Sequence, residues 1–234
     1  LASGGRSPAT DVAIPNLPQS VVEIEPEQYD FEEESLPLCF QSLRVPVDSS
    51  WASLTERPGW LRLYGRESTA SRHHQSLLAR RIESAHCEAS TCVEYGPESF
   101  QQMAGLIAIY DVTTHYYWCI TWHEEYGRCI KLITMDKGTY SEPAGEGIPL
   151  KDAGRIYLKA TFRGTRLWFS YSYDAGSWLD LPSPLDATIL SDEYCEGFTG
   201  TFVGLCAQDL SGKKLSADFD WFRYRNIKDD TSKI

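Results

Sequence analysis

From residue 29 onward, short apolar runs alternate with polar turns rich in Gly, Pro, Asp and Ser, and the runs repeat with strand periodicity rather than helical periodicity. This pattern predicts strands at 61–64, 76–82, 85–95, 102–110, 116–122, 129–134, 156–162, 166–172, 198–208 and 217–224. The clearest hairpin is YYWCITW-HEEYGR-CIKLI, residues 116–133. A second, RLWFSYSY-DAG-SWLDL, places Leu167, Phe169, Tyr171 and Tyr173 on one apolar face, while Trp168 interrupts the other. Its turn, Asp174-Ala175-Gly176, is expected to use Gly176 for a positive φ. No segment carries an amphipathic helix of twelve or more residues. Ten short strands with almost no helix predict an all-β, two-sheet sandwich or jelly roll.

The first 28 residues lack this rhythm. They are rich in Pro, Gly and Ser and read as a linker, leaving residues 29–226 as the β domain and 227–234 as a tail. The opening Leu-Ala-Ser, without an initiator Met, is expected to continue a longer chain upstream.

Composition narrows the possible partners. Of 234 residues, 22 are Lys or Arg and 33 are Asp or Glu, a formal charge of 22 − 33 = −11. That balance disfavours nucleic acid and anionic membrane, which need clustered cations, and suits a neutral ligand such as a sugar. No run reaches the roughly 18 apolar residues that span a bilayer, and the first residues do not read as a signal peptide. The seven cysteines include no C-x-x-C pair. Cys87 and Cys92 share one predicted strand about 17 Å apart, beyond the roughly 7 Å that a disulfide bridges. The seven therefore read mostly as buried thiols of a reducing, cytoplasmic compartment.

Four segments in order carry a family resemblance: YDFEEESLPLCFQSLRVP; LTERPGWLRLYGRES with QSLLARR; FQQMAGLIAIYD with HYYWCITWHEEYGR; and GFTGTFVGLCAQDLSG with ADFDWFRY. Together they resemble the concanavalin A-like sandwich that follows the catalytic domain in family 43 glycoside hydrolases of the β-xylosidase type. The resemblance implies a non-catalytic domain. The catalytic carboxylates of these inverting enzymes would lie upstream of Leu1, on a propeller where roughly 6.5–9.5 Å between two carboxyl groups leaves room for water. The acids visible here, Glu32-Glu33-Glu34 and Glu124-Glu125, point to alternating faces and read as solvated surface.

The resemblance also implies site residues and partners. Phe198, in Cys195-Glu196-Gly197-Phe198-Thr199-Gly200, matches an aromatic that reaches into the pocket of the upstream domain and shortens it for chain-end xylosyl units. Two readings of Phe198 stay open, this one and a core residue that starts a strand. Relatives carry a structural Ca²⁺ in this domain. Asp30 in the first strand, with Asp220 or Asp218 in the last, could supply its side-chain oxygens, since first and last strands of such sandwiches often pair. The implied partners are the upstream family 43 catalytic domain, a xylo-oligosaccharide at the shared pocket, and further copies of the chain. The parent reaction would be exo-β-1,4-xylosidase, with α-L-arabinofuranosidase as a related activity and no catalytic cofactor. The alternative is a free-standing carbohydrate-binding module for xylan-type oligosaccharides. The seven tryptophans read mainly as core or interface residues, and the five histidines as surface or turn residues.

Overall fold

The alternating strands pair into two antiparallel sheets packed face to face. The protein's structure is a computed structural model that describes residues 25–151 and 154–228. The linker reading for 1–28 therefore lies almost wholly outside the described residues, as does most of the tail.

In the first sheet the spatial order is β13 (Leu179–Asp180), β12 (Arg166–Ser172), β11 (Ile156–Arg163), β5 (His86–Glu94), β16 (Ser216–Asn226), β3 (Leu61–Tyr64) and β2 (Ala52–Ser53). Two short strands, β1 (Gln28–Tyr29) and β14 (Leu185–Asp186), add to β16 and β12. The second sheet runs β10 (Ile148–Pro149), β8 (Gly127–Asp136), β7 (Thr114–His123), β6 (Gln102–Asp111), β15 (Phe202–Asp209) and β4 (Ser76–Arg81), with β9 (Thr139–Ser141) on β8. First and last strands do meet, with Tyr29 opposite Phe222.

The core follows from the strand period. In β11, Ile156, Leu158, Ala160 and Phe162 are buried while Tyr157, Lys159 and Thr161 point outward. Across the interior, Trp118 of β7 stacks on Phe169 of β12 with ring centroids 6.0 Å apart, and its indole N–H donates to the Ser170 carbonyl at 3.1 Å. Each such fully buried aromatic contributes about 1.5–3 kcal/mol from area alone. The second sheet is apolar on both faces: Ile107, Tyr117 and Cys119 build a smaller cluster on its far side.

All seven cysteines are unpaired, five of them buried. Burial pushes the Cys87 and Cys129 thiols up to about 11 and those of Cys92 and Cys206 to about 12, so they remain neutral.

Three expectations need correction. The strand predicted at 198–208 begins only at Phe202, because the preceding residues are held in a loop. In the 174–176 turn the left-handed residue is Ala175 (φ 61°), not Gly176; Asp174 accepts from the Gly176 and Ser177 amides and stabilises the turn instead. His115 is no surface residue. It is fully buried on β7 with Nε2 2.9 Å from Thr69 Oγ1, and burial lowers its pKa to about 4.

Candidate functional site

The loop before β15 is built to expose one side chain. A 3₁₀ turn, Ala187–Leu190, runs into a single helical turn, α1 (Asp192–Cys195), and Ser191 serves both: its hydroxyl accepts from the Tyr194 amide at 3.2 Å. Asp192 and Glu193 sit in the first turn, where carboxylates complement the free N–H groups. Glu196 then turns left-handed (φ 56°), which ends the helix and reverses the chain.

Asp192 and Tyr110 fasten both flanks of the reversal. Tyr110, at the end of β6, donates to Asp192 Oδ1 at 2.7 Å. The Gly197 amide donates to the Asp192 carbonyl at 3.1 Å, and the Gly200 amide to Asp192 Oδ1 at 3.0 Å. The Thr199 amide reaches the Tyr110 hydroxyl at 3.4 Å, and Thr201 Oγ1 donates to the Leu190 carbonyl at 2.7 Å. The Tyr110 bond, then the Gly200 amide, hold the Asp192 carboxyl below its usual range. Gly197 is required by space: a Cβ there would collide with Tyr110 Oη and lie 2.9 Å from its Cζ. Between these ties stands Phe198, 90% exposed. An apolar ring so exposed, on a backbone so fully tied, is an unusual use of hydrophobic area. The core-residue reading of Phe198 is excluded.

The last strand is organised differently. Asp218 receives Arg62 Nε at 2.7 Å and Arg57 at 2.9 Å; Arg57 also binds Glu94 at 2.8 Å. Arg155 joins Glu94 to Asp220, both at 3.0 Å. Asp218 and Asp220 thus belong to one network, as their shared face requires, but three guanidiniums fill it. Burial works against ionisation of Asp218, yet Arg62 and Arg57 together hold its carboxyl below the ordinary range. Asp30 is exposed and accepts from the Gln28 amide at 2.5 Å. It lines a shallow depression with Glu32 and Glu33 that does not include Asp220. Among the described residues no three His, Cys, Asp or Glu side chains converge on a metal position. In this arrangement Asp220 is paired with Arg155 and Asp30 with the Gln28 amide.

Of the tryptophans, Trp51 and Trp118 are fully buried and Trp60 nearly so, under Arg57 at 3.6 Å from its ring. Trp122, Trp168, Trp178 and Trp221 are half-buried. Glu32-Glu33-Glu34 and Glu124-Glu125 are exposed. Nothing local in the sequence marks Tyr110 and Asp192 as the ties of this loop: Asp192 after a Ser is at most a helix-start signal, and Tyr110 looks like any strand aromatic.

Comparison with known proteins agrees with this architecture. A family described as the beta xylosidase C-terminal concanavalin A-like domain matches residues 28–225. The beta-xylosidase of Bacillus subtilis (strain 168) is 37% identical over 227 residues, covering 95% of this chain and 43% of that protein. The xylosidase/arabinosidase 43B of Humicola insolens is 34% identical over 234 residues, covering 96% of this chain and 43% of that protein. The solved structure of xylan beta-1,4-xylosidase from Bacillus halodurans C-125 superimposes with a TM-score of 0.90 at 45% identity, over 95% of this chain and 43% of that one. The chain therefore spans less than half the length of these relatives.

Proposed function

The chain belongs to the C-terminal concanavalin A-like domain family of the beta-xylosidases of glycoside hydrolase family 43, and from this we propose that it works by completing a catalytic domain that precedes it. In this reading the sandwich packs on a family 43 propeller and inserts Phe198 into the substrate pocket. There the ring closes the pocket behind a terminal xylosyl unit, packs against its C–H bonds and excludes water. The catalytic acids belong to the propeller. The reaction is hydrolytic removal of xylose from the non-reducing end of β-1,4-xylo-oligosaccharides.

The carrying observation is the pairing of a 90% exposed ring with a loop tied on both sides of it. A solvated monomer gains nothing from that arrangement, whereas a ring awaiting a pocket needs both exposure and fixed direction. The test is Phe198→Ala in the two-domain enzyme. kcat/KM for xylobiose is expected to fall about tenfold or more, with the thermal midpoint of the isolated chain unchanged. Unaltered kcat/KM would remove Phe198 from the pocket.

A further inference from the structure

The outer face of the first sheet carries a second constellation that the role of Phe198 leaves unused. Antiparallel partners share a face, so the outward side chains of β11, β5 and β16 form cross-strand rows. Tyr157, Cys92 and Trp221 make one row; Lys159, Ser90 and Arg223 make the next. Glu88 and Arg225 lie opposite each other in the third, paired at 3.1 Å. From the turn beyond β12, Trp178 folds back until Lys159 Nζ is 4.0 Å from its ring centroid. Apart from the fully buried Cys92, these side chains line a groove of about 630 Å³, within the usual range for ligand sites.

Its chemistry differs from that of the rest of the molecule. The chain carries −11 overall, yet the groove's charged side chains are three cations and one anion. Arg225 is spent on Glu88. Arg223 donates only to the neutral amide oxygen of Gln28, at 2.6 Å, and Lys159 sits over Trp178. Among the described residues neither has a carboxylate at ion-pair distance. Trp221 and Tyr157 lie alongside, ring centroids 6.2 Å apart and tilted by 34°.

Half-exposed aromatic faces suit the slightly positive C–H faces of pyranose rings, and unspent cations suit a carboxylate. A protein partner fits less well. Protein interfaces concentrate apolar residues at the centre and are depleted of Lys, whereas here Lys159 stands in the middle row.

We infer that this groove binds a uronate-bearing xylo-oligosaccharide, with pyranose rings on Trp221, Tyr157 and Trp178 and the carboxylate held by Lys159 and Arg223. The xylan backbone in this statement rests on the function proposed above; the aromatic platform and the carboxylate rest on the groove alone.

Calorimetric titration of the 234-residue chain with xylotetraose, unbranched or carrying one methylglucuronosyl branch, tests it. The branched ligand should bind saturably and at least about tenfold more tightly than the neutral one. Lys159→Gln should bring the two ligands together, and Trp221→Ala should weaken both by about tenfold or more. Both side chains face outward, and circular dichroism of each variant checks that the fold persists. Phe198→Ala should leave the titration unchanged, so failure of the pocket role and failure of the groove are read separately. The inference falls if the chain binds neither ligand, if it binds both equally, or if Trp221 instead mediates a concentration-dependent dimer in sedimentation.

Discussion

The Phe198 loop and the Asp218 network use the same kind of group, an aspartate beside strong donors, to opposite ends. In the loop, Asp192 accepts from neutral donors, the Tyr110 hydroxyl and the Gly200 amide, and the polar groups satisfy one another so that an apolar ring is left free. In the network, Asp218, Glu94 and Asp220 alternate with Arg62, Arg57 and Arg155, and the whole is capped by Trp60 beneath two guanidiniums. Nothing there is left free. The difference lies in which partners the fold brings, because a carboxylate already matched by cations has little field left for a ligand.

The comparison can be broken most forcefully at Asp218. Its side chain is only 11% exposed, and Asp218→Ala would take from half-buried Arg62 and Arg57 the carboxylate they share, leaving Arg57 to Glu94 and Arg62 to Glu56 at 3.4 Å. A loss of about 3 kcal/mol in urea unfolding is expected. A loss within 0.5 kcal/mol, on the order of ordinary surface substitutions, would show the network to be ornamental.

At the loop the effect should be smaller and of another kind. Gly197→Ala drives a methyl group into Tyr110 and should cost about 2 kcal/mol. Adding Tyr110→Phe removes the colliding oxygen, so the double variant should lose less than the two single variants summed. Strict additivity would mean that Gly197 and Tyr110 are not coupled.

The smallest effect is in acid. Both Asp192 and Asp218 have lowered pKa values in the folded state, so their stabilisation is complete above the ordinary carboxylate value near 4 and is lost as the pH falls below it. Urea midpoints from pH 6 to 2.5 should decline less steeply in Asp218→Asn than in the parent. In Asp192→Asn the flattening should be slighter, because that carboxylate is more solvated. Steeper decline in either variant would reverse the assigned sign.

Much of the sandwich was legible because a half-buried strand writes its period into the chain. Residues 61–64 and 166–172 coincide with β3 and β12, and the outward Tyr157 and Lys159 follow from simple alternation. The errors fall where alternation stops. Phe198 precedes β15 by only Thr199-Gly200-Thr201, so the sequence could not separate a strand residue from a displayed one; Tyr110 decides it from 88 positions away. His115 carries no mark of burial in its own neighbourhood, since Thr69, which receives its ring, lies in a distant turn.

The order of apolar and polar positions was enough, by itself, to determine an all-β chain and the faces of its strands, because side-chain direction along a strand is a local property of the backbone. Tertiary structure alone decided which acids are neutralised, which ring is displayed and which cations stay unspent. Those are matters of pairing between residues far apart in sequence, and pairing energy depends on distance and burial that no local pattern encodes.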